Sequence, residues 1–213
     1  YLLKKRKAEL TLDVLKPWDI EVDTFGKPEL KPFKDGADLV QKTIQCFYSI
    51  HPYFGQVVET LHATSHLDLD SRIGKAPGGY NYPLYETGIP FIFMNSSGTL
   101  RDVETMVHEG GHAIHSMLTR DLEFVGFKDF PSEVAELASM SMELISMEHW
   151  HYFLEDEDEL KTAKKEQLEG VLKVLPWICC VDKFQHWIYV NPSHSLEERA
   201  AKWREISETF SSK

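Results

Sequence analysis

The stretch Val107-His108-Glu109-Gly110-Gly111-His112-Ala113-Ile114-His115 sets two imidazoles four residues apart with a carboxylate between them. On a helix, positions i and i+4 lie about 40° apart around the axis, so His108 and His112 can aim at one ion. Neutral imidazole is a good ligand for zinc, and the Glu of an H-E-x-x-H run need not bind the metal itself. Glu109 is therefore a candidate general base, acting on a water whose pKa zinc lowers to about 7. The implied chemistry is metal-assisted hydrolysis, with Zn2+ as cofactor. Three fixed letters in five also arise by chance in a chain with 10 histidines among 213 residues. The reading thus requires a third ligand and a surface for substrate.

The third ligand is sought one helix later. Pro131-Ser132 opens a second long helical pattern with Ser132 as its cap, carrying Glu133, Glu136 and Glu143. Glu136 and Glu143 are seven apart and share a face, with Glu133 close to it. Acidic residues on a helix are ordinarily a solvated face, and here the upstream histidines turn the balance toward a zinc ligand. His115 also lies on the face of His108 and His112. An all-histidine site is an alternative, but one unbroken helix seldom wraps three ligands around a tetrahedral ion, so packing or orienting a ligand suits His115 better. No ligand spacing ties His51, His62, His66, His149, His151, His186 or His194 to the motif.

The elements that would position these groups are mostly helical. Residues 1–10 read as the end of a helix, and residues 12–33 are broken by Pro17, Gly26, Pro28 and Pro32. Asp35-Gly36 opens a helix with Leu39, Val40, Ile44, Phe47 and Tyr48 at helical spacing. His51-Pro52 breaks it, and helix resumes to about Ala63. Leu67-Asp68-Leu69 and the run Pro90, Phe91, Ile92, Phe93, Met94, Asn95 read as strands, separated by a flexible loop through Gly74, Gly78 and Gly79. The second strand is either core sheet or a free edge that holds an extended peptide by backbone hydrogen bonds. The motif helix starts near Leu100 and runs to about Thr119. After an acidic turn at residues 155–159, a helix spans about 161–189 with a kink or break at Pro176, and Ser195-Leu196-Glu197-Glu198 is a capping box for a last helix.

Composition bounds the partners. The hydrophobic share of 42% and charged share of 27% suit a soluble globular chain, expected as a single domain over residues 1–213. A net charge of −11 disfavours nucleic acid and anionic membrane surfaces. No apolar run has the length of a membrane span. Cys46, Cys179 and Cys180 form no disulfide framework and no C-x-x-C pair, which points to a reducing, cytoplasmic setting. The chain begins at Tyr1 without a Met and reads as a fragment of something longer.

Four runs occur in order: Arg72-Ile73-Gly74-Lys75-Ala76-Pro77-Gly78-Gly79-Tyr80, then Pro90-Phe91-Ile92-Phe93-Met94-Asn95, then His108-Glu109-Gly110-Gly111-His112, then Glu136-Leu137-Ala138-Ser139. Together they resemble the oligoendopeptidase F branch of the thimet oligopeptidase family, with further matches through Phe184-Gln185-His186-Trp187-Ile188-Tyr189. The resemblance implies a mainly α, zincin-like helical catalytic core with a small β-sheet, truncated at both ends. It implies a zinc endopeptidase cleaving internal bonds of short peptides in a deep channel. Carried over, the ligands are His108, His112 and Glu136, with Glu133 as the alternative, and Glu143 orients a ligand imidazole. Phe91, Ile92, Phe93, Met94, Asn95, Gly78 and Gly79 are the expected substrate-binding residues. The family's later Tyr and His residues, which bind substrate and stabilise the oxyanion, find no match before Lys213. That departure keeps open a zinc-binding structural module without turnover, and the motif alone also fits an aminopeptidase.

Overall fold

The computed structural model describes residues 2–20 and 29–210. Gly26 and Pro28, named above among the breakers, lie outside them. The chain forms two compact units, residues 29–163 and residues 1–28 with 164–213. It is mainly helical with a small sheet, as the sequence suggests; among the described residues that sheet has three strands where the sequence reading named two. Among the described residues no helix is long and apolar enough to cross a membrane.

The larger unit opens with α2 (Gly36–Ile50), whose first turn is closed by the Asp35 side chain accepting from the Asp38 N–H. The His51-Pro52 break is real: His51 is extended and α3 (Pro52–Ala63) starts at the proline. The sheet has β1 (Leu67–Asp70), β2 (Tyr80–Tyr82) and β3 (Phe91–Ser96) in the order β1-β3-β2, with β1 parallel and β2 antiparallel to β3. Next comes α4 (Leu100–Thr119), held at its start by Asp102, whose Oδ2 accepts from the N–H and Oγ1 of Thr99 at 2.8 and 2.9 Å. Then α5 (Ser132–Ser146) follows. Pro131 rather than Ser132 occupies its cap position, and no side chain bonds the free N–H groups there. One core joins Leu39, Phe47, Val58, Leu61, Ile92, Met94, Met106, Val107 and Trp150. The Trp150 ring is fully buried and its Nε1 donates to Ser146 Oγ at 3.1 Å.

Helix α1 (Leu2–Glu9), α6 (Glu157–Val190) and α7 (Leu196–Phe210) make up most of the rest. Of the expected kink or break at Pro176, no break occurs: α6 continues through the proline, which lacks an N–H to donate to the preceding turn. Trp203 of α7 packs edge-on against Trp177 and Phe184 of α6, at ring separations of 5.7 and 4.9 Å. The capping box forms as expected: Ser195 N–H donates to Glu198 Oε2 at 2.8 Å and Glu198 N–H to Ser195 Oγ at 3.2 Å. Cys46 and Cys180 are buried, Cys179 is exposed, and all three are free thiols.

Candidate metal centre

The metal face is built where α4 and α5 touch, and two glycines set how closely they do. Gly110 and Gly111 are buried on α4. A Cβ on Gly111 would stand 2.8 Å from the Ser139 Cα and 3.1 Å from the Ala138 carbonyl oxygen, so only glycine lets α5 come this close. On the other side, a Cβ on Gly110 would meet the Phe47 ring of α2 at 2.8 Å. The two spacer letters of H-E-x-x-H thus carry packing.

This approach delivers Glu136 to the histidines. One donor atom from each of His108, His112 and Glu136 falls within 4.8 Å of the others. Glu136 Oε2 lies 3.4 Å from His108 Nε2, and Glu136 Oε1 lies 3.6 Å from His112 Nε2. Tetrahedral zinc at about 2.0–2.1 Å from its ligands has donor–donor edges of about 3.3–3.4 Å, and each histidine lies near that distance from one oxygen of Glu136. Among the described residues this is the one group of three or more potential ligands. Glu133 is exposed and not part of it. Glu143, seven residues past Glu136, pairs with the far nitrogen of His108, Oε1 to Nδ1, at 2.6 Å. That leaves Nε2 of His108 directed at Glu136.

The electrostatics are those of a partly dry, acidic pocket. Burial acts most strongly on His108 and would lower its pKa, but the bond to Glu143 and the charges of Glu109, Glu143 and Glu136 together raise it. Burial also lowers His112, helped by the positive charge of His108 and opposed by Glu136. Glu109 is 6% exposed, and burial raises its carboxyl above the ordinary range. The charge of Glu136 adds to that rise, while His108 and the backbone N–H of Asn81 oppose it. Glu109 Oε2 has no hydrogen-bond partner. A buried carboxylate oxygen without a partner, beside a three-donor cluster, is the arrangement a proton-accepting base needs.

His115 is not part of the donor cluster. Its ring stacks on Phe130 at 3.9 Å, its Nδ1 is unpartnered, and burial lowers its pKa. Packing, rather than orienting a ligand, is what its contacts describe.

The strand β3 departs most from expectation. It is the central strand, and over Phe91–Phe93 it is paired on both sides, which leaves that part no free edge to offer a peptide. Ile92 and Met94 are 0% and 1% exposed and belong to the core. Phe91 meets His66 edge-on, Phe93 stacks on Tyr80 at 5.0 Å, and Asn95 Nδ2 donates to the Ala76 and Gly78 carbonyls at 2.8 and 3.0 Å. The outer strand beside α4 is β2, which the sequence reading passed over. Its Asn81 backbone N–H acts on Glu109, and its Asn81 Nδ2 donates to Ser116 Oγ of α4 at 3.3 Å. Only the Tyr-Asn-Tyr alternation hinted at that strand, and three residues are too few for a period to stand out.

Comparison with known proteins agrees with this geometry. The model of peptidase family M3 matches residues 1–213. Oligoendopeptidase F, chromosomal, of Lactococcus lactis subsp. cremoris is 30% identical over 146 residues, 68% of this chain and 24% of that protein. Oligopeptidase PepF of Bacillus subtilis (strain 168) is 31% identical over 187 residues, 87% of this chain and 27% of that protein. The solved structure of PZ peptidase A with inhibitor 2 superposes with a TM-score of 0.87 at 27% identity, covering 97% of this chain and 36% of that one. The chain therefore spans about a quarter of the length of the first two relatives. A match along the whole chain, with the H-E-x-x-H helix and a third donor at ligand spacing, places it: the chain belongs to peptidase family M3.

Proposed function

We propose that the chain carries the metal-binding and base-supplying part of an oligoendopeptidase that hydrolyses internal bonds of short peptides, with zinc as the metal. The observation that carries this is the pairing of three donors within 4.8 Å with a buried Glu109 oxygen that has no partner. His108, His112 and Glu136 hold the ion. Bound there, zinc supplies Lewis acidity, polarising a peptide carbonyl and making water easier to deprotonate. Glu109 Oε2 accepts a proton from the attacking water and passes it to the departing amine.

The substrate's place moves from β3 to β2. An extended peptide pairs with the outer edge of β2, where Tyr80 and Tyr82 are 50% and 60% exposed and Asn81 faces Glu109. The name of the Lactococcus lactis relative, an oligoendopeptidase, favours an endopeptidase over an aminopeptidase. Three free thiols suit a reducing, cytoplasmic setting. Because the chain covers about a quarter of the relatives' length, a metal-binding module without turnover is the competing reading.

A quenched-peptide assay on this chain, with and without chelator, separates the two readings. We expect cleavage that chelator removes and zinc restores, and an amino-blocked peptide to be cut as well as a free one. Glu109→Gln should retain zinc and lower kcat by at least about 100-fold, the scale of a positioned acid–base group. Wild-type rates from Glu109→Gln would remove Glu109 from the mechanism.

A further inference from the structure

Lys75 is a buried cation that the reaction does not use. Its side chain is 1% exposed. Nζ donates to the Asp68 carbonyl at 3.0 Å, to Asp68 Oδ1 at 3.1 Å and to the Asp70 carbonyl at 2.8 Å, and lies 4.5 Å from the centre of the Phe93 ring. A lysine taken out of water needs this degree of compensation, and all three of its donor hydrogens are matched. Asp68 is also held by a bidentate Arg72 at 2.6 and 2.9 Å. The bond to Arg72 is the largest of the influences that take its carboxyl down to about 2.

These contacts converge on the glycine loop before β2. The loop leaves Lys75, and its Ala76 and Gly78 carbonyls are caught by Asn95. Gly78 has φ +100, a conformation glycine adopts freely. At Gly79 a Cβ would stand 3.0 Å from the Thr105 methyl of α4, so the chain is pressed against the metal helix. A second route runs through side chains, since Phe93 contacts both Lys75 and Tyr80. The expected flexible loop is instead pinned at both ends.

We propose that Lys75 is a positioning residue, which with Asn95 fixes the strand Tyr80–Tyr82 as a rigid wall beside the Glu109 carboxylate. The proposal rests on the peptidase reading for its effect on substrate, and on geometry alone for its effect on the strand. Lys75 touches neither metal ligands nor reacting atoms, so its loss alters where a peptide lies and leaves zinc in place.

The test compares Lys75→Met and Asn95→Ala with the wild-type chain by hydrogen-exchange mass spectrometry, zinc titration and peptide kinetics. Exchange over residues 76–82 should rise at least about tenfold in both variants, a local loss of protection, while α4 keeps its own. Zinc affinity should stay within about threefold, and KM should rise about tenfold with kcat within about threefold, as when binding shared by ground and transition states is lost. Unchanged exchange over residues 76–82 in both variants overturns the proposal, as does increased exchange with unchanged KM in a chain that cleaves peptide. If Lys75→Met loses protection along its whole length, Asn95→Ala decides, because it leaves the buried charge and its partners intact. A wild-type chain that holds zinc and cleaves nothing counts against the peptidase reading instead, and the exchange result then decides the positioning role alone.

Discussion

Glu143 bonds the far nitrogen of His108, and so bears on what that histidine can do. With Nδ1–H donating to Glu143 Oε1 at 2.6 Å, the imidazole would keep the tautomer whose Nε2 lone pair is free for the proposed ion. Glu143→Ala should lower zinc affinity about 10–100-fold, the usual loss when the partner of a ligating histidine is removed. Competition against a chromogenic chelator measures it, and an unchanged Kd would mean that α4 and α5 orient His108 without help. Most of this constellation was legible beforehand. The i, i+4 spacing pointed to His108 and His112 and the letter between them to Glu109, while the family resemblance favoured Glu136 with Glu143 over Glu133. Asn81 was not legible. A polar residue between two tyrosines has no spacing signature, and its value comes from a backbone N–H that every residue other than proline possesses.

Between α4 and α5 the sensitive quantity is the distance between helix axes, and Gly111 governs it. Gly111→Ala places a methyl 2.8 Å from a backbone atom of α5, which cannot rotate away as a side chain end could. Overpacking of this kind costs about 1–3 kcal/mol. It should also carry Glu136 away from His108 and His112. We expect a lower denaturation midpoint and weaker zinc binding together, and normal zinc affinity in a destabilised variant would show that α5 tilts instead of withdrawing. Helix limits were largely readable, because their signals are local: Asp35 at the start of α2, Pro52 at that of α3, Thr99 with Asp102 at that of α4. Strand order was not, since pairing joins residues far apart in sequence. The apolar run of β3 read as either core sheet or a free edge; its alternating burial tells which face meets the core, and only its pairing with β1 and β2 makes it central. The glycine loop read as flexible because composition records neither Lys75 beneath it nor Asn95 across it.

At the level of the whole chain, every proposed metal and base residue lies in the unit of residues 29–163. Zinc should therefore stabilise that unit directly. At 100-fold excess over Kd, binding to the folded form alone adds about 2.7 kcal/mol. Amides of α4 and α5 should gain protection accordingly, and a zinc-independent exchange pattern there would argue that the unfolded chain binds zinc as well. The cysteines have a separate consequence. Burial pushes the Cys46 thiol up to about 12, above its ordinary 9.0. Its contribution to stability is thus present below pH 9 and lost only as the pH climbs toward 12. With Cys46 protonated and enclosed and Cys180 buried, Cys179 on α6 stands alone as an exposed thiol. These 213 residues thus offer a single point for attaching a fluorophore or a surface tether, remote in sequence from α4 and reached without replacing any residue.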